Sequence, residues 1–108
     1  MAAKLVTIWW RDIPTQVNAQ QGRTRHQAVL PRRFQRAVDE AAMAAGLTHA
    51  TDYVAEWRRQ AAPLPPDLDA AALQAAADAA AARFDGDYSK ERLTAIAANS
   101  GYELEPQS

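Results

Sequence analysis

The feature that most constrains this chain is a change of period at Leu30-Pro31. Before it, apolar side chains recur at every second residue; after it, they recur at every third or fourth. A period of two puts alternate residues on opposite faces of a strand, whereas a period near 3.6 lines them along one stripe of a helix. A chain that keeps the two periods in separate blocks belongs to the α+β class, with a sheet first and helices after it. With 108 residues, one domain of ordinary size is expected.

In the first block, residues 4–13 alternate and are rich in aromatic and β-branched types. Val6, Ile8 and Trp10 share one face, while Leu5, Thr7, Trp9 and Arg11 share the other. Large apolar groups on both faces mark a central or doubly covered strand. Ile13-Pro14 interrupts it, since proline has no N–H for the ladder. Thr15 to Gln20 alternates again, Gln21-Gly22 offers a turn, and Arg23 to Leu30 makes a third run. The expectation is a three-stranded antiparallel meander over 4–30, followed by about four helices.

Pro31 suits a first helical turn, and Phe34, Ala37, Val38, Ala41 and Ala45 form a stripe that Gly46 can end. A second helix, capped by Thr48 or Thr51 and striped by Tyr53, Val54 and Trp57, completes a helical pair over 31–62. Pro63-Leu64-Pro65-Pro66 reads as a linker over 63–66. Alanine-rich helices fill 67–100: one is capped by Asp67 or Asp69 and runs to about Phe84. Asp85-Gly86 then turns, and Ser89 caps a last helix with Tyr88 and Leu93 as its hydrophobic staple. Residues 101–108 read as a mobile tail.

The chemistry on offer is sparse. There is no cysteine, and the two histidines, His26 and His49, fall in different elements, so neither a metal site nor a cofactor is expected. No phosphate-binding glycine loop or metalloprotease motif occurs, and an enzyme is not expected. The longest apolar run near the start is too short for a membrane span, which points to a cytoplasmic protein. Charge is uneven: residues 1–60 hold nine cations against five carboxylates, and residues 61–108 hold three against eight. Ten of the twelve cations are arginine, the residue suited to bidentate and stacked contacts.

Arg23, Arg25, Arg32, Arg33 and Arg36 are the candidate contact surface for an acidic partner, a phosphate or a carboxylate. Trp9, which alternation places beside Arg11, is the candidate aromatic anchor, and Trp10 the core residue. Single-stranded nucleic acid is the alternative partner for the same arginines, though a pI near 6.1 speaks against it. Exposed sheet edges and the opposed charge of the two halves also make a homodimer an expectation.

Three strings together resemble the small bacterial "virulence factor" domain, also found in conserved virulence factor C proteins. They are Trp10-Arg11-Asp12-Ile13-Pro14 with Gln16-Val17, Leu30-Pro31 with Arg33-Phe34, and Ala55-Glu56-Trp57-Arg58-Arg59 in the expected second helix. The likeness is good over residues 4–60 and loose beyond. It implies a small cytoplasmic accessory protein, linked to folate- and corrinoid-dependent one-carbon metabolism, whose partner would be a methyltransferase or a corrinoid protein. It brings no catalytic residues with it, and the family's name implies nothing about infection.

Overall fold

In the computed structural model, which describes residues 1–47 and 49–103, eight elements follow one another. They are β1 (Ala3–Trp10), β2 (Ile13–Gln21), β3 (Thr24–Val29), α1 (Arg32–Ala44), α2 (Ala50–Val54), β4 (Trp57–Leu64), α3 (Ala70–Asp87) and α4 (Lys90–Ala98). The class is α+β, with four helices and one antiparallel sheet. The sheet has four strands, not the three expected, in the order β3-β2-β1-β4. β1 is central, one of the two placements expected of it.

The fourth strand comes from the segment read as the end of a helix and a linker. α2 stops at Val54, and residues 57–64 pair along the whole of β1, from Trp10 opposite Trp57 to Ala3 opposite Leu64. Alanine, arginine and glutamine favour helix intrinsically. A helix here would have left the outer backbone groups of β1 without partners, and pairing them outweighs a few tenths of a kcal/mol of propensity. Pro63 fits because β4 is an edge strand, where a missing N–H is tolerated.

β2 also begins earlier than expected. Pro14 lies opposite Trp9, where the register shifts and Thr15 is left out of the pairing. The Thr15 hydroxyl donates to the Ile8 carbonyl at 2.8 Å, so the irregularity is a bulge that absorbs the proline rather than a strand end.

Among the helices, Ser89 caps α4 by accepting from the Arg92 N–H at 3.1 Å, and Asp69 caps α3 by accepting from Ala72 at 2.7 Å. α3 runs through Asp85-Gly86 to Asp87, so that pair is helical and not a turn. His49 occupies the N-cap position of α2 and Thr51 lies inside the helix; Thr48 lies outside the described residues. Of the tail read as mobile, residues 101–103 are pinned by the contacts described below, and 104–108 lie outside the described residues.

Two clusters form the core. Trp10, Ile13 and Leu30 at one end of the sheet are packed by Phe34, Ala37, Val38 and Ala41 of α1 and by Leu93, Ile96 and Ala97 of α4. Ala3, Ala19 and Ala28 of the sheet meet Leu73 and Ala77 of α3, with Leu5, Leu64 and Leu68 around them. The small side chains let α3 lie close on the sheet, while the first cluster, with its buried aromatics, supplies the larger buried area. Each fully buried Phe or Leu there contributes about 1.5–3 kcal/mol.

On the other face of the sheet the register sets three rows: Arg25-Gln20-Lys4-Pro63, Gln27-Asn18-Val6-Ala61 and Val29-Gln16-Ile8-Arg59. Most of these residues are exposed, and neither core cluster includes any of them. An antiparallel sheet with one packed face and one wet face accounts for the arrangement.

Candidate functional site

The Trp-Arg-Asp string sits where β1 turns into β2, and its side chains close on three distant segments. Arg11 takes up a positive φ of 51°, which swings its side chain inward until only 10% of it is exposed. Its Nη1 donates to the Ser100 carbonyl at 2.6 Å and its Nη2 to Glu56 Oε1 at 3.2 Å. The guanidinium also lies over Trp10 and Tyr102, 5.3 and 4.6 Å from their ring centroids. Asp12 Oδ2 accepts the Glu103 N–H at 2.7 Å, and its Oδ1 faces Arg58 Nη2 at 3.6 Å. Arg58 in turn donates from Nε to the Arg11 carbonyl and covers the Trp9 ring at 5.0 Å.

This assembly is a clasp that holds the start of β4 and residues 99–103 against the end of β1. Gly101 completes it. Its φ of +93° suits glycine, and a Cβ there would come within 2.9 Å of the Trp10 ring. The two tryptophans part company, as alternation requires. Trp10 is fully buried and donates from Nε1 to the Tyr53 carbonyl at 3.0 Å, whereas Trp9 packs edge-on against Phe84 of α3 at 5.5 Å.

Trp9 and Arg11 therefore do not form the expected anchor on a contact face. The side of β1 that carries Trp9 is covered by α3 and Arg58, and Arg11 is turned into the clasp. The five other arginines are not gathered either. Arg23 and Arg25 are exposed at the β2–β3 hairpin, and Arg32, Arg33 and Arg36 open α1. The six residues of β3 keep the two groups about 20 Å apart. Arg33 is held in place, donating to the carbonyls of Asp85 and Tyr88 and pairing with Asp85 Oδ1 at 2.5 Å. It joins the basic first half of the chain to the acidic second half.

The structure instead sets on one face cations that lie in three different strands. Lys4, Arg25 and Arg59 share the open sheet face, whose three rows hold no carboxylate. None of the three has an ion pair among the described residues. In the middle of that face the Asn18 side chain is buried, and its Oδ1 has no hydrogen-bond partner among the described residues. Beside it, β4 pairs with β1 alone among the described residues, and residues 58–63 are all exposed. Separately, Arg36 meets Lys90 across a groove of about 260 Å³ between α1 and α4. Neither Lys4 nor Lys90 stands out in the sequence, because each is a single cation whose neighbours are chosen by strand register or helix packing.

His26, one of the two histidines, hydrogen-bonds Gln74 of α3 at 3.2 Å. Asp12 and Glu56 are engaged by Arg58 and Arg11. No cluster of three metal-ligating side chains occurs among the described residues.

The model of one protein family, described as Virulence factor, matches residues 8–97. The chain belongs to that family. The match begins inside β1 and ends inside α4, so it takes in every element, and the clasp's Trp9, Arg11, Asp12, Glu56 and Arg58 all fall within it. No curated protein and no solved structure matches the chain significantly. Among the described residues, no helix of this Virulence factor protein is long and apolar enough to cross a membrane.

Proposed function

We propose that this member of the Virulence factor family is a small cytoplasmic accessory protein that acts by binding, without chemistry of its own. Its docking surface is the open edge of β4 together with the sheet face beside it, and its partner is an acidic, extended segment of another protein. The carrying observation is the edge itself: an eight-residue strand with one side unpaired among the described residues, beside a sheet face whose three rows hold Lys4, Arg25 and Arg59 and no carboxylate. An added strand would satisfy free backbone donors and acceptors, and the cations would select acidic side chains. Charge of this kind governs partner choice and association rate more than affinity. A second copy docking through the same face would set these cations against one another. The family resemblance makes a methyltransferase or corrinoid protein the finer choice of partner.

The test compares the wild type with a K4E/R25E/R59E variant, each immobilised and exposed to an extract of the native host. All three positions are exposed, so the variant retains the fold. The expected result is a partner held by the wild type, weakened by salt, lost at least tenfold on charge reversal, and protecting β4 amides from hydrogen exchange. A corrinoid or folate enzyme in that fraction supports the finer reading. Equal retention of the same proteins by both forms overturns the proposal, as does replacement of any protein partner by salt-dependent binding of single-stranded oligonucleotides.

A further inference from the structure

α1 and α4 lie side by side and run in the same sense. Arg33 near the start of α1 reaches the Tyr88 carbonyl just before α4, and Ala41 near its end meets Gly101 just after α4. Between them is the groove of about 260 Å³, lined by Arg33, Arg36, Ala37 and Glu40 on one side and Lys90, Leu93 and Thr94 on the other. The spacing on each helix, three or four residues, is what turns these side chains toward one another. Ala37 and Leu93 are both buried and form the floor. The hollow exists because α1 presents an alanine where a larger side chain would fill it.

The rim carries three cations and one carboxylate. Arg33 is already neutralised by Asp85, whereas Arg36 and Lys90 have no ion pair among the described residues. We infer that this groove is a binding site for a small oxyanion, a carboxylate or a phosphate monoester. The anionic group sits between Arg36 and Lys90, and the short apolar body rests on Ala37 and Leu93. A volume just under the range for drug-sized ligands sets the size: a metabolite, not a polymer. Glu40 repels a second negative charge at the far end of the groove and accepts from a hydroxyl or ammonium group there. The Thr94 hydroxyl, which donates to the Lys90 carbonyl at 2.8 Å, keeps lone pairs free to accept from the ligand. Oxyanions with donors at the other end are therefore preferred over polyanions. The site is separate from the β4 edge and stands whether or not a protein docks there.

The probes are lactate for the carboxylate source, glycerol 3-phosphate and inorganic phosphate for the phosphate source, and citrate as the polyanion. Each is titrated into the ¹⁵N-labelled protein against sodium chloride of equal ionic strength. Saturable shifts at Arg36, Ala37, Lys90 and Thr94 with lactate or glycerol 3-phosphate, and weaker ones with citrate, are expected. Whether lactate or glycerol 3-phosphate saturates first tells the two sources apart. R36Q/K90Q should weaken binding at least tenfold, and T94F, which covers the groove without removing charge, should do the same. Both change exposed residues, so spectra elsewhere stay unchanged. Shifts matched by chloride, tighter binding of citrate, or binding that survives either variant overturns the inference.

Discussion

At the scale of single residues, the molecule's polar energy is concentrated around the end of β1. Burying an arginine is costly unless its donors are used, and Arg11 uses both terminal nitrogens on Ser100 and Glu56 while two aromatic rings cover its faces. Its Nε has no partner among the described residues, so the clasp works by position as much as by saturation of its donors. Tyr88 lies close to this network, stacked under Arg92 at 4.0 Å. Burial pushes the Tyr88 phenol above its ordinary value of 10.0, with Arg92 opposing and Glu103, Asp12 and Asp87 adding to the rise. The fold thus favours the neutral phenol. That stability is complete below pH 10 and is lost as pH climbs from there through the higher folded value. Urea midpoints above pH 10 should accordingly fall more steeply for the wild type than for Tyr88→Phe. Parallel curves would show that Tyr88 ionises without cost to the fold.

At the scale of elements, capping and pairing separate what is local from what is not. Ser89 was legible as a cap because its chemistry is contained within six residues: a hydroxyl, a free N–H at Arg92 and an apolar pair in Tyr88 and Leu93. Replacing it with alanine should cost about 1 kcal/mol, read as a lower thermal midpoint with an unchanged far-ultraviolet spectrum. An unaltered midpoint would mean that packing against α1 alone holds α4 in place. β4 is the opposite case. Its residues show no alternation, six of its eight face water, and its propensities favour helix. Only the presence of β1, ready to be paired along its outer side, makes the segment a strand.

At the scale of the whole molecule, the chain is closed by its own last described residues. Residues 99–103 cover Trp10 with Gly101, supply the Ser100 carbonyl and Tyr102 ring to Arg11, and give the Glu103 N–H to Asp12. Arg92 pairs with Glu103 and ties the segment to α4 as well. Ending the chain at Ala98 should destabilise it by about 2–4 kcal/mol, from lost apolar cover and from hydrogen bonds worth about 1 kcal/mol each. Set against the 5–15 kcal/mol typical of whole domains, that is a large share, and urea unfolding of the shortened chain measures it. A midpoint equal to that of the full chain would reduce the clasp to a surface contact.

By itself the sequence determined what depends on neighbours a few residues apart. It showed the switch from alternation to helical period at Leu30-Pro31, a central or doubly covered β1, the burial of Trp10, caps at Asp67 or Asp69 and at Ser89, and the family. The tertiary structure alone decided the fourth strand, the clasp around Arg11, and the two meeting places of cations, on the open sheet face and in the α1–α4 groove. The clasp joins residues 45 to 91 positions apart, such as Arg11 with Glu56 and Asp12 with Glu103. Periodicity reports the environment of a residue along its own element. It carries no record of which distant element will cover that face, and so it took Trp9 and Arg11 for a working surface when one lies under α3 and the other fastens the chain.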